Sequence, residues 1–211
     1  MENIKVIRNI KPRYDKNLIL SRLGYRKGMT ELTLDFKQEF DGLLTNAESL
    51  CHMVTAYRYI RVLDRQEGTV KLEDGTILKG KALADLLSDS EEVLLMASTT
   101  GEQVTNRIQE MMRNDCTGDA VILDAAASEI ADSGLDFVME YVSTTLRKEG
   151  RALTKMRFSP GYGDFNIEQQ AHFARLLEIE KLGIALTEAF ILLPEKSVLA
   201  IAGIIPVSSH E

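Results

Sequence analysis

The chain has 211 residues, enough for one large domain or two small ones, with 45% apolar and 27% charged residues, close to an average globular protein. A net charge of −7 and the lack of a basic block argue against a nucleic-acid surface. No apolar run reaches the roughly 18 residues a membrane helix needs, and the first residues carry no secretory apolar core, so a cytoplasmic protein is expected.

Residues 1–30 read as an extended, basic N-terminal arm with a short helix over 17–23. From Asp35, Phe36, Phe40, Leu43, Leu44, Ala47 and Leu50 recur at helical spacing and predict an amphipathic helix to Cys51. Residues 54–63 interleave Tyr57, Tyr59, Ile60 and Val62 with Arg58 and Arg61, the pattern of a strand with one wet face. Asp74-Gly75 between two short apolar runs predicts a tight hairpin. A short helix over 80–87 follows, then Val93-Leu94-Leu95-Met96-Ala97, a strand buried on both faces. Thr100 with Gln103 resembles a capping box opening a helix that carries Val104, Ile108, Met111 and Met112. Such a strand-to-helix turn is either an ordinary cap or an anion site.

Residues 117–148 predict one long alanine-rich helix, its inner face carrying Ala120, Ala127, Ile130, Ala131, Leu135, Val138, Tyr141 and Val142. Gly134 in its middle marks either a kink or a tight contact, and Gly150 ends it. Asp132 sits in its apolar half and reads either as a solvent-facing acid or as a site residue. Next comes Arg157-Phe158-Ser159-Pro160-Gly161-Tyr162-Gly163-Asp164. Proline and two glycines exclude a helix interior or a central strand. The run is either a plain turn or a small-molecule cradle with bare backbone, one cation and one aromatic. Asn166, with Gln169 placed for a reciprocal bond, predicts a capped helix running to Leu182, stopped by Gly183. Two apolar strands, 189–193 and 198–204, read as a hairpin around Pro194-Glu195-Lys196-Ser197, and a polar tail covers 207–211. The elements do not alternate as in a doubly wound sheet. The expected fold is α+β, one domain over 1–211, with a mostly antiparallel twisted sheet and flanking helices.

Cys51 and Cys116 form no Cys-x-x-Cys pair and are expected as reduced core or near-core thiols. His52, His172 and His210 have no ligand spacing, so no metal site is proposed. There is no nucleophile elbow, Walker loop or dinucleotide fingerprint, and no nucleophile–base pair follows from spacing. A ligand-like loop without a catalytic set suggests that a bound cofactor carries the chemistry.

At Arg157-x-Ser-Pro-Gly-Tyr-Gly the sequence resembles the activation domain of cobalamin-dependent methionine synthase, in its free-standing form. The likeness continues through Leu177-Glu178-Ile179-Glu180-Lys181-Leu182-Gly183 and Leu186-Thr187-Glu188, and upstream over 124–142. Before Ala97 only the order of elements agrees. The resemblance implies a reactivation subunit that binds S-adenosylmethionine and supports reductive methylation of cob(II)alamin, with an electron donor such as flavodoxin. The cobalamin belongs to the partner, a methionine synthase core or another corrinoid protein. This makes the chain a component of a methyltransferase, not a complete enzyme. It further implies a ligand site of Asp132, Arg157, Ser159, Pro160, Gly161, Tyr162 and Gly163. In it Arg157 takes the ligand carboxylate, Asp132 the ammonium or a hydroxyl, and Tyr162 packs beside the ligand or the corrin. Two departures stand out: Gly163-Asp164 replaces the family's proline-led segment, and Asp132 stands where a glutamate is typical. The alternative expectation is a corrinoid-protein binding module without S-adenosylmethionine chemistry.

Overall fold

The structure, a computed structural model, describes residues 3–26 and 28–207, so the expected tail lies outside it from residue 208 onward. Its centre is a seven-stranded antiparallel sheet in the order β4-β3-β2-β5-β9-β6, with β1 also on β2. These strands are β1 (Lys5–Ile10), β2 (Met53–Gln66), β3 (Thr69–Leu72), β4 (Ile77–Lys79), β5 (Glu92–Thr99), β6 (Arg151–Leu153) and β9 (Ser197–Pro206). A two-residue ribbon of β7 (Ala185–Leu186) and β8 (Leu192–Leu193) stands apart. β2 is longer than its apolar segment predicts because two partners share it. β1 pairs with residues 53–57 and β3 with residues 62–66, while β5 pairs with residues 54–61. The expected arm thus supplies a sheet strand over Lys5–Ile10 and the helix Lys16–Arg22.

The α-helices among the described residues are α1 (Lys16–Arg22), α2 (Leu34–Leu50), α3 (Lys81–Leu86), α4 (Glu102–Arg113), α5 (Thr117–Lys148) and α6 (Gln170–Leu177). The fold is α+β, as the sequence implied, and α5 has the predicted bounds. At 1.5 Å per residue its 32 residues span about 48 Å, longer than the sheet is wide. Its two halves therefore do different work. Leu135, Val138, Val142 and Leu146 cover one sheet face, against Tyr57, Leu94, Met96, Ala200, Ala202 and Ile204. Ala120, Leu123, Ala127 and Ile130 pack with Ile19, Phe40, Leu44, Val104 and Ile108 of α1, α2 and α4. The other sheet face is closed by Phe165, Phe173, Leu176 and Leu177 over Ala56, Ile60, Val93, Leu95, Leu199 and Ile201. β5 is consequently buried on both faces, which its unbroken apolar run requires.

Gly134 is where helix and sheet touch. A Cβ there would lie 2.1 Å from Ser98 Oγ and 3.1 Å from Thr55 Cγ2. Of the two sequence readings, kink or tight contact, the second holds. Tyr141, placed on the inner face by periodicity, is 54% exposed, with its ring between those of Tyr57 and Phe137.

Several local expectations are corrected. Thr100 does not cap α4; Gly101 does, at φ 80°. Gly101 takes the left-handed turn, so the threonine points back, and its N–H and hydroxyl both donate to the Lys196 carbonyl, at 3.0 and 3.2 Å. Gln103 instead meets His52 Nε2 at 3.0 Å. The strands around Pro194 do not pair with one another. β8 pairs with β7 across a turn closed by Thr187 and Ile191, and β9 enters the main sheet between β5 and β6. β9 is apolar on both faces and suits a central position, whereas Leu192–Leu193 alternates buried and exposed. The capped helix after Asn166 begins as a 3-10 turn and breaks at Glu178, at φ 47°, before a second 3-10 turn to Leu182. Gln169 makes no reciprocal cap; its side chain accepts the Lys79 N–H at 3.3 Å.

Both cysteines are free, but only Cys51 is buried; Cys116 is exposed at the start of α5. Burial pushes the Cys51 thiol up to about 12, a bond to Thr100 offsetting this only in part. A thiol reagent at neutral pH should therefore label Cys116 alone in the native protein and both cysteines in denaturant. Mass spectrometry reads this directly; two additions without denaturant would mean that the Cys51 region opens. Among the described residues, no helix is long and apolar enough to cross a membrane.

Candidate functional site

α5 acts as a ruler for the site. Asp124, Ser128, Asp132 and Asp136 follow one another at four-residue steps, which stacks them along one side of the helix. Three cations, each delivered by a different element, meet these four residues. Lys196, in the turn before β9, lies 2.6 Å from Asp124 and 3.0 Å from Ser128 Oγ. Arg22, the last residue of α1, lies 2.7 Å from Asp132 and 3.3 Å from Glu129. Arg157 donates through Nη1 to Asp136, and its Nη2 reaches the Asp132 carbonyl at 3.5 Å and Asp132 Oδ1 at 4.0 Å. Most of these pairs are part-exposed, so their contribution is placement more than stability. Glu129 differs, being only 6% exposed. Burial raises its pKa, and Arg22 opposes that shift. Burial likewise works against the Arg22 charge, yet its bonds to Asp132 and Glu129 leave its pKa raised.

The loop after Arg157 is closed by its own backbone. Phe158 exchanges both backbone hydrogen bonds with Ile201 of β9, each 2.8 Å. Gly161, at φ 97°, donates to the Phe165 carbonyl at 2.7 Å, and Phe165 donates to Tyr162 at 3.0 Å. Only glycine adopts such a φ without strain. Phe165 is fully buried, its ring 6.0 Å from Phe158 and 6.1 Å from Phe173. The Asp164 carboxylate accepts the N–H groups of Lys81 at 2.5 Å and Ala82 at 3.3 Å, capping α3. The departure at Gly163-Asp164 thus has a structural role: it ties the loop to a neighbouring helix. Tyr162 remains at the tip, 69% exposed.

Between this loop, α5 and β9 lies a cleft of about 290 Å³, lined by Asp132, Met156, Arg157, Phe158, Ser159, Tyr162 and Val198. Four of the seven expected site residues line it: Asp132, Arg157, Ser159 and Tyr162. The other three shape the loop. Pro160 is buried, a Cβ at Gly161 would face Ile167, and a Cβ at Gly163 would lie 3.7 Å from Phe158. Arg22, Asp136 and Lys196 escaped the sequence reading. The step from Asp132 to Asp136 was a visible signal for the second. Nothing local marks Arg22, which is 110 residues from its partner Asp132. A wider hollow, about 570 Å³, lies among Arg61, Arg65, Glu91, Glu92 and Arg151. There Arg151 is already paired with Glu92 and Glu149.

Chemically, the cleft sets a cation beside an anion, with apolar walls and an exposed aromatic at the mouth. That combination suits a ligand carrying an α-amino-acid group on a flat, partly apolar body.

No protein-family model matches the chain, and no curated protein matches it in sequence. Among solved structures it is similar to the crystal structure of the MetH reactivation domain bound to AdoHcy. The TM-score is 0.72 at 15% sequence identity, over 99% of this chain and 80% of that one. The likeness extends across the N-terminal half, where the sequence resemblance was faint, and the chain therefore shares the fold of the MetH reactivation domain.

Proposed function

We propose that this chain is a reactivation module for a cobalamin-dependent methionine synthase, working in the cytoplasm and holding S-adenosylmethionine in the cleft between α5 and the 157–165 loop. The observation that carries this reading is the meeting of Arg157 and Asp132 in one cleft. It is supported by a shared fold with a domain whose crystal structure is bound to AdoHcy. When bound, S-adenosylmethionine would supply an activated methyl group to the cobalt of a partner's cobalamin after an electron donor such as flavodoxin has reduced it by one electron, leaving AdoHcy. The protein's share is placement. Arg157 and Asp132 fix the amino-acid end, the loop backbone sets the height of the ligand over α5, and Tyr162 stands at the open mouth. The corrinoid protein would dock over that mouth.

Calorimetry on the isolated protein tests the ligand assignment. AdoHcy and S-adenosylmethionine should both bind. Arg157→Ala should weaken AdoHcy by at least about 1.5 kcal/mol, roughly tenfold, through loss of a charge-assisted hydrogen bond. Unchanged affinity would remove Arg157 from the site, and no binding by the unaltered protein would sink the reading. The methyl-transfer role is tested separately. With a cob(II)alamin-loaded partner, a reductant and S-adenosylmethionine, the methylcobalamin spectrum should appear only when this chain is present.

A further inference from the structure

Arg22, Asp132, Arg157 and Asp136 form a line of alternating charges, and only its two inner members line the cleft. Asp132 Oδ2 accepts from Arg22, which leaves Oδ1 facing Arg157 across 4.0 Å, too long for a hydrogen bond. Arg157 donates through Nη1 to Asp136, and its Nη2 lies 3.5 Å from the Asp132 carbonyl. With Nη1 so held, the side-on edge, Nε with the second N–H of Nη2, is the one left to fork onto a carboxylate. Asp136 itself is 65% exposed and does not line the cleft.

We infer that Asp136 is a positioning residue that selects ligands with an amino-acid group, by pinning Nη1 of Arg157 so that its Nε–Nη2 edge is presented to the ligand carboxylate. The inference rests on the proposed ligand site and deepens it. Asp136 touches no ligand. It acts through Arg157, one end of the guanidinium being fixed before binding so that less side-chain freedom is lost on binding. Arg22 does the same for Asp132 at the other end of the line. A ligand lacking the amino-acid group meets neither inner charge and should not sense the outer ones.

The test compares Asp136→Ala and Asp136→Asn with the unaltered protein, using AdoHcy and 5′-methylthioadenosine, which is a related nucleoside thioether without the amino-acid group. Asp136→Ala should weaken AdoHcy about tenfold, as expected when a charged partner is lost, and leave 5′-methylthioadenosine within about twofold. Asp136→Asn keeps an oxygen acceptor and should restore AdoHcy to within about threefold of the original affinity. Thermal unfolding should be unchanged in both variants, because the side chain is exposed. The inference is overturned if alanine binds AdoHcy as tightly as aspartate does, or more tightly, since Asp136 would then be inert or a competitor. It is equally overturned if both ligands weaken alike, or if asparagine is as poor as alanine. The alanine–asparagine comparison decides even where 5′-methylthioadenosine binds too weakly to read. Failure of the unaltered protein to bind AdoHcy would instead bring down the functional reading, and this inference with it.

Discussion

Gly134→Ala should destabilise the protein by about 2 kcal/mol net, against the usual gain from replacing a helical glycine by alanine. That usual gain is about 1 kcal/mol. It is outweighed because the new methyl would lie 2.1 Å from Ser98 Oγ, 2.9 Å from Ser98 Cβ and 3.1 Å from Thr55 Cγ2. Both neighbours belong to central strands and are fully buried, so they cannot swing aside. Overpacking of this kind costs about 1–3 kcal/mol, occasionally more. For a chain of this size the midpoint of thermal unfolding should fall by roughly 4–8 °C. Ser98 Oγ has no hydrogen-bond partner, so Ser98→Ala alone should be neutral or stabilising. In the Gly134→Ala background it should recover part of the loss, and only part, because the Cβ contact remains. An unchanged or raised midpoint for Gly134→Ala would show that α5 does not sit this close to β2 and β5. The site shares in this contact. Asp132 and Asp136 flank Gly134 on the same helix, so lifting α5 from the sheet would widen the cleft and should weaken AdoHcy as well.

The long helix was legible because its pattern is long and its ends are chemically marked. Small and apolar side chains recurring at helical spacing through 32 residues, closed by Gly150 at φ 69°, leave little else to fold into. β5 was legible for the same kind of reason, an unbroken apolar run. What failed were inferences from neighbours in sequence. Thr100 has the spacing of a capping box, but the glycine after it turns the chain before the threonine can cap. Leu192–Leu193 and β9 look like two arms of one hairpin, but β9 has better partners in β5 and β6, and β8 takes the nearer β7. In each case a tertiary contact displaced a local one.

The site divides along the same line. The loop residues and Asp132 came from a motif and its resemblance, and four of the seven named residues do line one cleft. The proline and the two glycines of that motif shape the loop without facing the cleft, which a motif alone does not separate. The charges behind the cleft were invisible for a different reason. Arg22 lies in the N-terminal arm, where periodicity is weak. Only the packing of α1 against α5, through Ile19 and Leu20, brings its guanidinium over Asp132 and Glu129.

That packing supplies the second large prediction. Arg22→Ala should cost about 2–3 kcal/mol of stability, more than the loss of an ordinary half-exposed arginine. The reason is Glu129, which is 6% exposed and would be left with only a backbone bond from Asp15 to oppose its burial. Removing one member of a buried pair costs about 3–5 kcal/mol; the figure is lower here because Arg22 is itself 42% exposed, so water can enter behind it. The pH dependence separates this cause from simple loss of packing. Burial already holds the Glu129 pKa above its ordinary value, and Arg22 pulls it back down. Without Arg22 the folded-state pKa rises further. The native state then binds more protons than the unfolded state from about pH 4.3, the ordinary glutamate value, up to the raised pKa. Across that window the stability contribution of Glu129 falls as pH rises. The deficit of Arg22→Ala should therefore be nearly absent below about pH 4, where Glu129 is neutral in both states, and full at pH 7. Glu129→Gln in the Arg22→Ala background should remove that pH dependence and recover most of the stability. Denaturant unfolding at pH 4.5 and 7 measures both effects. A deficit of the same size at both pH values, left in place by the glutamine, would assign the loss to packing of the arginine stem over α5 and not to the buried charge.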